Sequence, residues 1–259
     1  MTPRLSVCVI TYNEADRLGR CLESVRGLAD EIVVIDSGST DGTREVAELF
    51  GVRWSERVPF PGWEAQKQWA MDQAGGDWIL SLDADEWLVD DSREAISRAI
   101  QVEGLSDSSG SATDGFRLTR KTLFLGRWLR GGNSAREKKI RLVRSGKGRW
   151  TGGDPHERLE VDGPVRDLRA IIGHEPRRSL GEHVRTIDRY TSLQAPGLAE
   201  KSRLRLLFGI AIEPFLVIAK ELILLGGVID GAPGIIHAIL TSFEFFLRHA
   251  KAWEIKSRR

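Results

Sequence analysis

The chain has 259 residues, of which 41% are apolar, and its formal net charge is +1 at pH 7. This length and apolar fraction are enough for one large domain, or a domain with an appendage, around a real core. The small net charge says little about partners, and the two cysteines, Cys8 and Cys21, are too few for a disulfide framework. We expect buried thiols in a reducing compartment, and the first apolar run is too short for a signal peptide, which predicts a cytosolic location.

The first third of the chain alternates apolar runs with segments of helical spacing. Residues 5–10 and 31–36 are nearly continuous apolar runs, as expected for strands that are buried on both faces of a parallel sheet. A short strand is predicted over 52–54 and a further one over 79–82. The segments between these strands predict helices over 15–27, from the turn at 37–43 to Phe50, and over 63–74. This alternation predicts a doubly wound α/β domain.

Polar residues follow three of these strands. Asp83-Ala84-Asp85-Glu86 comes directly after residues 79–82, and unpaired carboxylates are costly to bury. Taken alone, this segment favours a solvated acidic turn, but Asp83 and Asp85 can also converge on one hard cation such as Mg²⁺ or Mn²⁺. Tyr12-Asn13-Glu14 and Asp36 fall at the same predicted edge, where such sheets bind ligands. Three polar clusters at one edge favour a binding site.

The order and spacing of these motifs resemble the donor half of family 2 glycosyltransferases, which have the GT-A fold. The motifs are Thr11-Tyr12-Asn13-Glu14, the segment 34–43 and Asp83-Ala84-Asp85-Glu86. The resemblance implies a divalent cation, Mg²⁺ or Mn²⁺, held by Asp85 with Asp83 nearby. The donor-binding residues that it implies are Thr11, Tyr12, Asn13, Glu14, Asp36, Ser37, Lys67, Asp83 and Ala84. The family commonly has Arg-Asn where this chain has Lys67-Gln68, and lysine meets a phosphate only as a point charge.

A strongly basic segment, 116–150, follows a polar loop at 104–115. It can be a solvated strand face, but a rim for an anionic acceptor at a lipid surface is the better interpretation. No nucleic-acid-binding motif accompanies the charge, so we expect no nucleic acid partner. Segments 124–128, 131–132 and 141–143 resemble the lipopolysaccharide-core β-glucosyltransferase (WaaE/KdtX-like) branch of the family, although 133–137 lacks its aromatic-Pro-Asp pattern. We therefore expect acceptor contacts at Arg127, Trp128 and Arg141.

A second chemical centre is predicted at residues 154–159. Inverting sugar transfer needs a carboxylate that takes the proton of the acceptor hydroxyl. The branch has a His-Glu pair after the basic strand, which implies Glu157 as the base and His156 as a group that orients it or contacts donor phosphates. Asp154 is the alternative base, and a surface turn with a salt bridge between Glu157 and Arg158 is the structural alternative. His174, at a strand end, can contact acceptor or metal or equally belong to the core.

The C-terminal region predicts helices. Residues 204–229 are apolar, but Glu213-Pro214 and Lys220-Glu221 interrupt them, so no run reaches the roughly 18 apolar residues of a spanning helix. Residues 235–253 have one apolar and one polar face, and basic residues bracket the region. This pattern predicts an interfacial helical pair on an anionic leaflet, or alternatively a hairpin that packs on the GT-A core or on a second subunit.

These observations predict three regions and one activity. The donor-binding half spans 1–103, the acceptor-binding and catalytic half 116–178, and the C-terminal helical hairpin, peripherally bound to membrane, 180–259. We expect an inverting, metal-dependent glycosyltransferase that moves a hexose, such as glucose from UDP-glucose, onto a lipid-linked saccharide such as lipopolysaccharide inner core. It would act at the inner face of the cytoplasmic membrane. The alternatives are a polyprenyl-phosphate glycosyltransferase and a non-catalytic scaffold that binds nucleotide sugar.

Overall fold

A computed structural model of the protein describes residues 2–89, 91–105, 113–154 and 156–258. The chain divides into two compact units, of which the first contains Met1–Arg120 and Lys138–His174 and the second contains Lys121–Glu137 and Glu175–Arg259. The loop predicted over 104–115 lies largely outside the described residues. The division into donor, acceptor and helical regions stays a prediction.

A mixed sheet forms the centre of the first unit. The strands and helices up to residue 105 are β1 (Leu5–Thr11), α1 (Leu18–Val25), β2 (Glu31–Asp36), α2 (Thr43–Glu48), β3 (Arg53–Glu56), α3 (Trp63–Asp72), β4 (Trp78–Asp83), β5 (Glu86–Val89) and α4 (Ser92–Leu105). The later strands are β6 (Gly115–Phe124), β7 (Arg127–Trp128), β8 (Arg136–Arg144), β9 (Gly148–Thr151), β10 (Arg158–Val161) and β11 (Val165–His174). The sheet order is β3-β2-β1-β4-β8-β6-β11-β5, β7 pairs with β6, and β9 and β10 form a separate hairpin.

The first four strands are parallel and have helices on both faces, as predicted from their continuous apolar runs. On β1, Leu5, Val7 and Val9 pack into the cluster that contains Leu18 and Leu22 of α1. Cys8 belongs instead to the cluster of the opposite face, with Ala70 and Met71 of α3. The sheet then continues with strands that run antiparallel, since β8 is antiparallel to β4 and β11 is antiparallel to β5.

The register of the parallel strands brings their polar ends to one edge. Thr11 at the end of β1 is paired with Asp36 at the end of β2. On its other side β1 is paired with β4, where Ile10 lies opposite Asp83. The predicted polar clusters therefore follow strands that end at the same level.

Helices form most of the second unit. They are α5 (Leu180–Ala199), α6 (Arg203–Ala211), α7 (Glu213–Ala219), a π-helical turn (Lys220–Leu224), a 3-10 turn (Gly227–Asp230) and α8 (Ala232–Ser257). The helices α5, α6 and α7 all pack on α8, with Ala195, Leu206 and Ala252 buried among them. None of the helices in the described residues combines the length and apolar character that crossing a bilayer requires. The C-terminal helices are confirmed, but they form a packed group rather than one hairpin.

Candidate active site

Asp83, the last residue of β4, lies between two buried cations. Its Oδ1 is 2.9 Å from Lys67 Nζ, and its Oδ2 accepts a hydrogen bond of 3.1 Å from Arg141 Nη2. Burial would raise the pKa of the Asp83 carboxyl, but the charges of Lys67 and Arg141 outweigh it and hold this pKa well below its ordinary value. Asp83 is therefore a carboxylate at neutral pH, although both of its oxygens already face protein cations.

Glu86 fixes the turn that carries the acidic motif. Its side chain is fully buried, and its Oε1 accepts hydrogen bonds from Arg141 Nη2 at 2.8 Å and from Arg120 Nη1 at 3.2 Å. Its Oε2 accepts a bond of 3.1 Å from the backbone amide of Asp83, which closes the turn. The sequence predicted Glu86 only as part of the acidic motif and Arg120 only as part of the basic segment 116–150, without a role for either; the available signal for Glu86 was its place directly after Asp85, at the start of β5.

Arg141 belongs to this network. Only 4% of its surface is exposed, and the carboxylates of Glu86 and Asp83 raise its pKa despite the opposing effect of burial. The side chain was predicted to contact an acceptor. In the structure its Nη2 binds the carboxylates of Asp83 and Glu86, so this side chain holds the acidic motif in place. Its contact with an acceptor stays a prediction.

Asp85 faces His174. In the antiparallel register of β5 and β11, His174 lies opposite Glu86, and its Nε2 is 3.5 Å from Asp85 Oδ2. Burial would raise the pKa of Asp85, but the neighbouring His174 outweighs it and lowers this pKa. Both side chains are mostly buried but not sealed from solvent, with 18% and 14% exposed. A carboxylate oxygen and an imidazole nitrogen thus converge at the acidic motif.

This pair fits a divalent cation that keeps most of its shell for substrate and water. Magnesium commonly takes only one or two protein ligands beside substrate phosphates, and manganese also accepts oxygen ligands and imidazole. Within the described residues there is no group of three or more His, Cys, Asp or Glu side chains poised to enclose a metal. Asp85 fits the predicted ligand role better than Asp83, because the oxygens of Asp83 face Lys67 and Arg141. His174 joins Asp85 as a candidate ligand.

Glu157 lies beside the same lysine. Its Oε1 accepts a hydrogen bond of 3.0 Å from Lys67 Nζ, so one ammonium group links Glu157 to Asp83. The predicted alternative was a salt bridge between Glu157 and Arg158, whereas the structure pairs Arg158 Nε with Glu160 Oε1 at 2.7 Å. His156 is exposed, and its backbone amide bonds to Gly153 O at 2.8 Å. The structure therefore brings Glu157, more than His156, to the acidic motif.

Asp154, the alternative base, holds the start of α3. Its two carboxylate oxygens accept hydrogen bonds from the amides of Trp63 at 3.0 Å and Glu64 at 3.1 Å. Gly62 precedes this helix at φ 107°, and a Cβ there would lie 2.4 Å from Asp154 Oδ2, so the close approach requires glycine. Because α3 also carries Lys67, this cap helps to place the lysine that binds Glu157.

The loops after β1 and β2 are tied to each other. Asn13 has φ 54°, and its Oδ1 accepts a hydrogen bond of 2.8 Å from the amide of Thr40. Asp36 Oδ2 accepts bonds from the amides of Gly38 at 2.8 Å and Ser39 at 2.7 Å. The buried carboxylate of Asp36 thus organises its own loop, and its predicted contact with base or ribose stays a prediction.

Most of the other predicted donor residues lie in these two loops or at their start, and Ala84 follows β4. Tyr12 is 56% exposed, Thr11 and Ala84 are buried, and Glu14 pairs with Arg17. Ser37 Oγ accepts a bond of 3.3 Å from Gln66 Nε2. Of these side chains, Tyr12 has the exposed aromatic ring on which the planar base of a nucleotide can stack.

Arg127 and Trp128, the remaining predicted acceptor residues, lie in the second unit. They form the exposed strand β7, which pairs with Phe124 and Leu123. The loop that follows, Arg130–Asn133, is here named the acceptor loop only because it comes after the two residues predicted to contact an acceptor. Two buried carboxylates hold it, since Asp230 Oδ2 accepts bonds from the amides of Arg130 at 2.8 Å and Gly131 at 2.9 Å, and Glu221 Oε2 accepts one of 2.9 Å from the amide of Asn133.

Comparison with known proteins gives the same assignment as the motifs. The profile of Glycosyl transferase family 2 matches residues 6–148. The chain is 28% identical over 265 residues to the lipopolysaccharide core biosynthesis glycosyltransferase LpsC of Rhizobium meliloti, covering 96% of this chain and 95% of that protein. It is also 28% identical over 271 residues to the uncharacterized glycosyltransferase RT0209 of Rickettsia typhi, covering 98% and 89% of the two chains.

A solved structure supports the fold. The mannosyltransferase PcManGT from Pyrobaculum calidifontis, in complex with GDP-Man and Mn²⁺, superposes with a TM-score of 0.52 at 14% identity and covers 99% of this chain and 88% of its own. This likeness confirms the predicted GT-A architecture. With the profile covering more than half of the sequence, the chain belongs to glycosyl transferase family 2 and is a glycosyltransferase of the GT-A fold.

Proposed function

We propose that this protein is an inverting, metal-dependent glycosyltransferase that moves a hexose from a nucleotide sugar to a lipid-linked saccharide. UDP-glucose is the first donor to try, and lipopolysaccharide inner core is the first acceptor. The similarity to LpsC supports the acceptor class, and the GDP-Man and Mn²⁺ bound to PcManGT support a nucleotide sugar with a divalent cation. The observation that carries the proposal is the contact of Lys67 with both Asp83 and Glu157, which joins the donor motif to a carboxylate suited to act as base.

The donor diphosphate would lie at Asp85 and His174. These two residues would hold Mg²⁺ or Mn²⁺, which when bound neutralises the charge on the departing nucleoside diphosphate. Asp83, kept ionised by Lys67 and Arg141, can accept a hydrogen bond from a ribose hydroxyl. Lys67 would add a positive charge near the donor diphosphate. Its ammonium acts as a point charge and lacks the two parallel N–H donors of an arginine.

Glu157 would accept the proton of the acceptor hydroxyl. As that oxygen bonds to the anomeric carbon, the bond between this carbon and the diphosphate oxygen breaks, and the nucleoside diphosphate leaves with the electron pair. The hydrogen bond from Lys67 Nζ to Oε1 orients the Glu157 carboxylate for this transfer. Asp154 is a poorer candidate, because it would have to give up two helix amides to move toward an acceptor.

Glu157→Gln tests the base. Glutamine keeps the shape of the side chain but does not take a proton at neutral pH, so turnover should fall about 10²–10⁴-fold, the usual contribution of a positioned base. Donor affinity, measured by calorimetry with Mn²⁺, should change little. Glu160→Gln is the matched control, because Glu160 lies on the adjoining strand with its side chain 51% exposed and should affect neither quantity.

The other results of this experiment separate the alternatives. Weaker donor binding with normal turnover would assign Glu157 to the donor pocket and contradict its role as base. Normal turnover and normal binding would favour a polyprenyl-phosphate acceptor, which is already anionic and needs no base. The scaffold alternative predicts that no nucleotide sugar is turned over, so hydrolysis of donor without acceptor counts against it. A thermal-shift screen of nucleotide sugars with and without Mn²⁺ identifies the donor for these assays.

A lipid-linked acceptor requires the enzyme to work at a bilayer. Peripheral association with the inner face of the cytoplasmic membrane is therefore part of the proposal. The basic and apolar character of the C-terminal region supports it.

A further inference from the structure

A run of large apolar side chains in the second unit is held out into solvent. Six of them, here named the apolar ridge, are more than half exposed. They are Phe215 at 71%, Leu216 at 54%, Ile223 at 81%, Leu224 at 78%, Val228 at 58% and Ile229 at 62%. They lie on α7, the π-helical turn and the 3-10 turn, which pack against one another in that order. Large exposed apolar surfaces on a folded protein commonly mark a contact with a partner or a membrane.

The ridge is exposed although its backbone is fixed. On the other side of the same segment, Glu221 and Asp230 are buried and accept hydrogen bonds from the acceptor loop. The amide of Gly132 also donates to Leu225 O at 2.9 Å. A Cβ on Gly131 would lie 2.2 Å from Gly226 O, so the two backbones are in direct contact. The apolar side chains therefore point outward from a segment that is anchored from behind.

Exposed basic residues lie before the ridge and within it. Lys201, Arg203 and Arg205 precede it, and Lys220 lies between Leu216 and Ile223. The acidic residues of this stretch are turned away, because Glu213 pairs with Arg205 and His249 and Glu221 is buried against the acceptor loop. Aliphatic and aromatic side chains beside exposed basic residues such as Lys201, Arg203 and Lys220 fit the headgroup region of an anionic bilayer, where both features add to binding.

The ridge lies on the segment that precedes α8, the helix with the clearest amphipathic pattern in the sequence. The sequence predicted an interfacial helical pair over 204–229 and 235–253, and the second helix, α8, packs on α5, α6 and α7 through buried residues that include Ala238, Ser242 and Ala252. Its apolar residues that remain accessible, such as Phe243 at 38% and Phe246 at 37%, are less exposed than those of the ridge. The face that α8 buries in the unit is therefore made mainly of small and polar residues, and its large apolar side chains form a second, less exposed apolar surface.

We propose that the apolar ridge docks this protein on an anionic lipid bilayer and that Glu221 and Asp230, behind it, fix the acceptor loop to the docked segment. The inference deepens the proposed function and rests on it for its role, because an acceptor linked to lipid is met at the bilayer. The same short segment then binds lipid on one side and holds the residues after Arg127-Trp128 on the other.

Vesicle co-sedimentation of the full chain tests the ridge. Wild type should bind vesicles of phosphatidylcholine with phosphatidylglycerol more strongly than vesicles of phosphatidylcholine alone. Ile223→Gln/Leu224→Gln should lower the partition coefficient on the anionic vesicles about tenfold or more, because two exposed aliphatic side chains no longer enter the interface. The control is Leu49→Gln/Val102→Gln, which removes side chains of 84% and 61% exposure from the first unit and should bind as wild type does.

Three results would overturn the inference. In the first, wild type fails to bind anionic vesicles. In the second, the ridge variant binds these vesicles as strongly as wild type. In the third, wild type binds no vesicles but is a dimer, and the ridge variant is a monomer. The last would make a second copy of the chain the occupant. Thermal unfolding checks that both double variants are folded. Hydrolysis of UDP-sugar without lipid is measured in parallel, so that loss of the proposed activity and loss of bilayer docking are seen separately.

Discussion

The two units differ in the partners of their buried charges and in the large apolar side chains that they expose. In the first unit Lys67 and Arg141, 5% and 4% exposed, pair with carboxylates such as the fully buried Glu86, whereas in the second unit the buried Glu221 and Asp230 accept bonds from backbone amides. The second unit leaves large apolar groups exposed, among them Ile223 and Leu224. A buried charge requires a partner inside the protein, whereas an exposed apolar surface gains a partner only from outside. The proposed donor site is therefore held by charges within the fold, whereas the proposed docking surface needs a partner from outside.

In the buried network of the first unit, each cation contacts two carboxylates. Arg141 serves both Asp83 and Glu86, and Lys67 serves both Asp83 and Glu157. Removing charges from water is expensive, and such a group is tolerated only when each member has partners of good geometry. The arrangement therefore holds Asp83, Glu86 and Glu157 in place before any donor binds.

The largest effect on donor binding is expected from the loss of Asp85, which does not take part in the Lys67 and Arg141 network. Asp85→Ala should abolish the part of UDP binding that depends on Mn²⁺, because the cation would lose its main protein ligand. Calorimetry with UDP, with and without Mn²⁺, measures this. Asp167→Ala, which removes an exposed acid from the same unit, should leave binding unchanged. Equal UDP affinity in Asp85→Ala and wild type would contradict the metal role.

Removing the shared lysine should destabilise the first unit. Lys67→Met keeps the length of the side chain but leaves the carboxylates of Asp83 and Glu157 without their common cation. Breaking a buried pair costs about 3–5 kcal/mol, and we expect a loss near the lower limit because Arg141 still serves Asp83. Denaturant unfolding gives the value, and Lys147→Met, at an exposed lysine, should cost little. A Lys67→Met protein as stable as the control would show that the network carries no net stability.

A smaller effect is expected for the carboxylate behind the apolar ridge. Asp230→Ala leaves the amides of Arg130 and Gly131 without this acceptor; the Gly131 amide is buried, and one such group left unsatisfied costs about 1–3 kcal/mol, whereas the Arg130 amide is only partly buried and can turn to water. The acceptor loop should then exchange its amide hydrogens faster, while UDP binding stays normal. Asp188→Ala is the control, because Asp188 is 70% exposed in its contact with Lys251. Unchanged exchange in Arg130–Asn133 would remove the anchoring role of Asp230.

The fold of the first unit was largely readable from local patterns. Continuous apolar runs predicted β1, β2 and β4, and the acidic motif was expected at the strand end where it lies. The partners of the motif were harder to predict, because they depend on the pairing of distant strands. Arg141 comes to Asp83 on a strand antiparallel to β4, and His174 comes to Asp85 through the register of β11 with β5. No periodicity in the sequence fixes such registers.

In the second unit, the sequence predicted the helices but not which of their faces are buried. The amphipathic pattern of residues 235–253 correctly predicted a helix, but a pattern does not show what covers the apolar face. This helix packs on α5, α6 and α7 through small and polar residues such as Ala238 and Ser242, whereas Ile239 of the apolar face stays half exposed. The residues of the apolar ridge have no clear period in the sequence, and Glu221 within this stretch and Asp230 directly after it face inward and bind the acceptor loop. Their role became visible only when the loop and the segment were seen together.

The smallest expected effect is a pH dependence confined to the second unit. The His183 ring lies 5.8 Å from that of Phe124 and 6.3 Å from that of His237. Burial, followed by the charge of Arg177, lowers the pKa of His183 to about 4, and burial also lowers the pKa of His237. Since the unfolded chain titrates near 6.5, these rings favour folding fully above that pH, and their contribution is lost as the pH falls from about 6.5 toward 4.

Thermal unfolding between these pH values checks the sign. Wild type should lose stability as the pH falls through this window, and His183→Asn should lose less, because one titrating group is gone. His156→Gln changes an exposed histidine of the first unit and should follow wild type. The comparison uses the difference between variants, since the carboxylates whose pKa is lowered, such as Asp85, lose their stabilising contribution at still lower pH. A His183→Asn curve parallel to that of wild type would show that this ring does not link proton binding to the stability of the second unit.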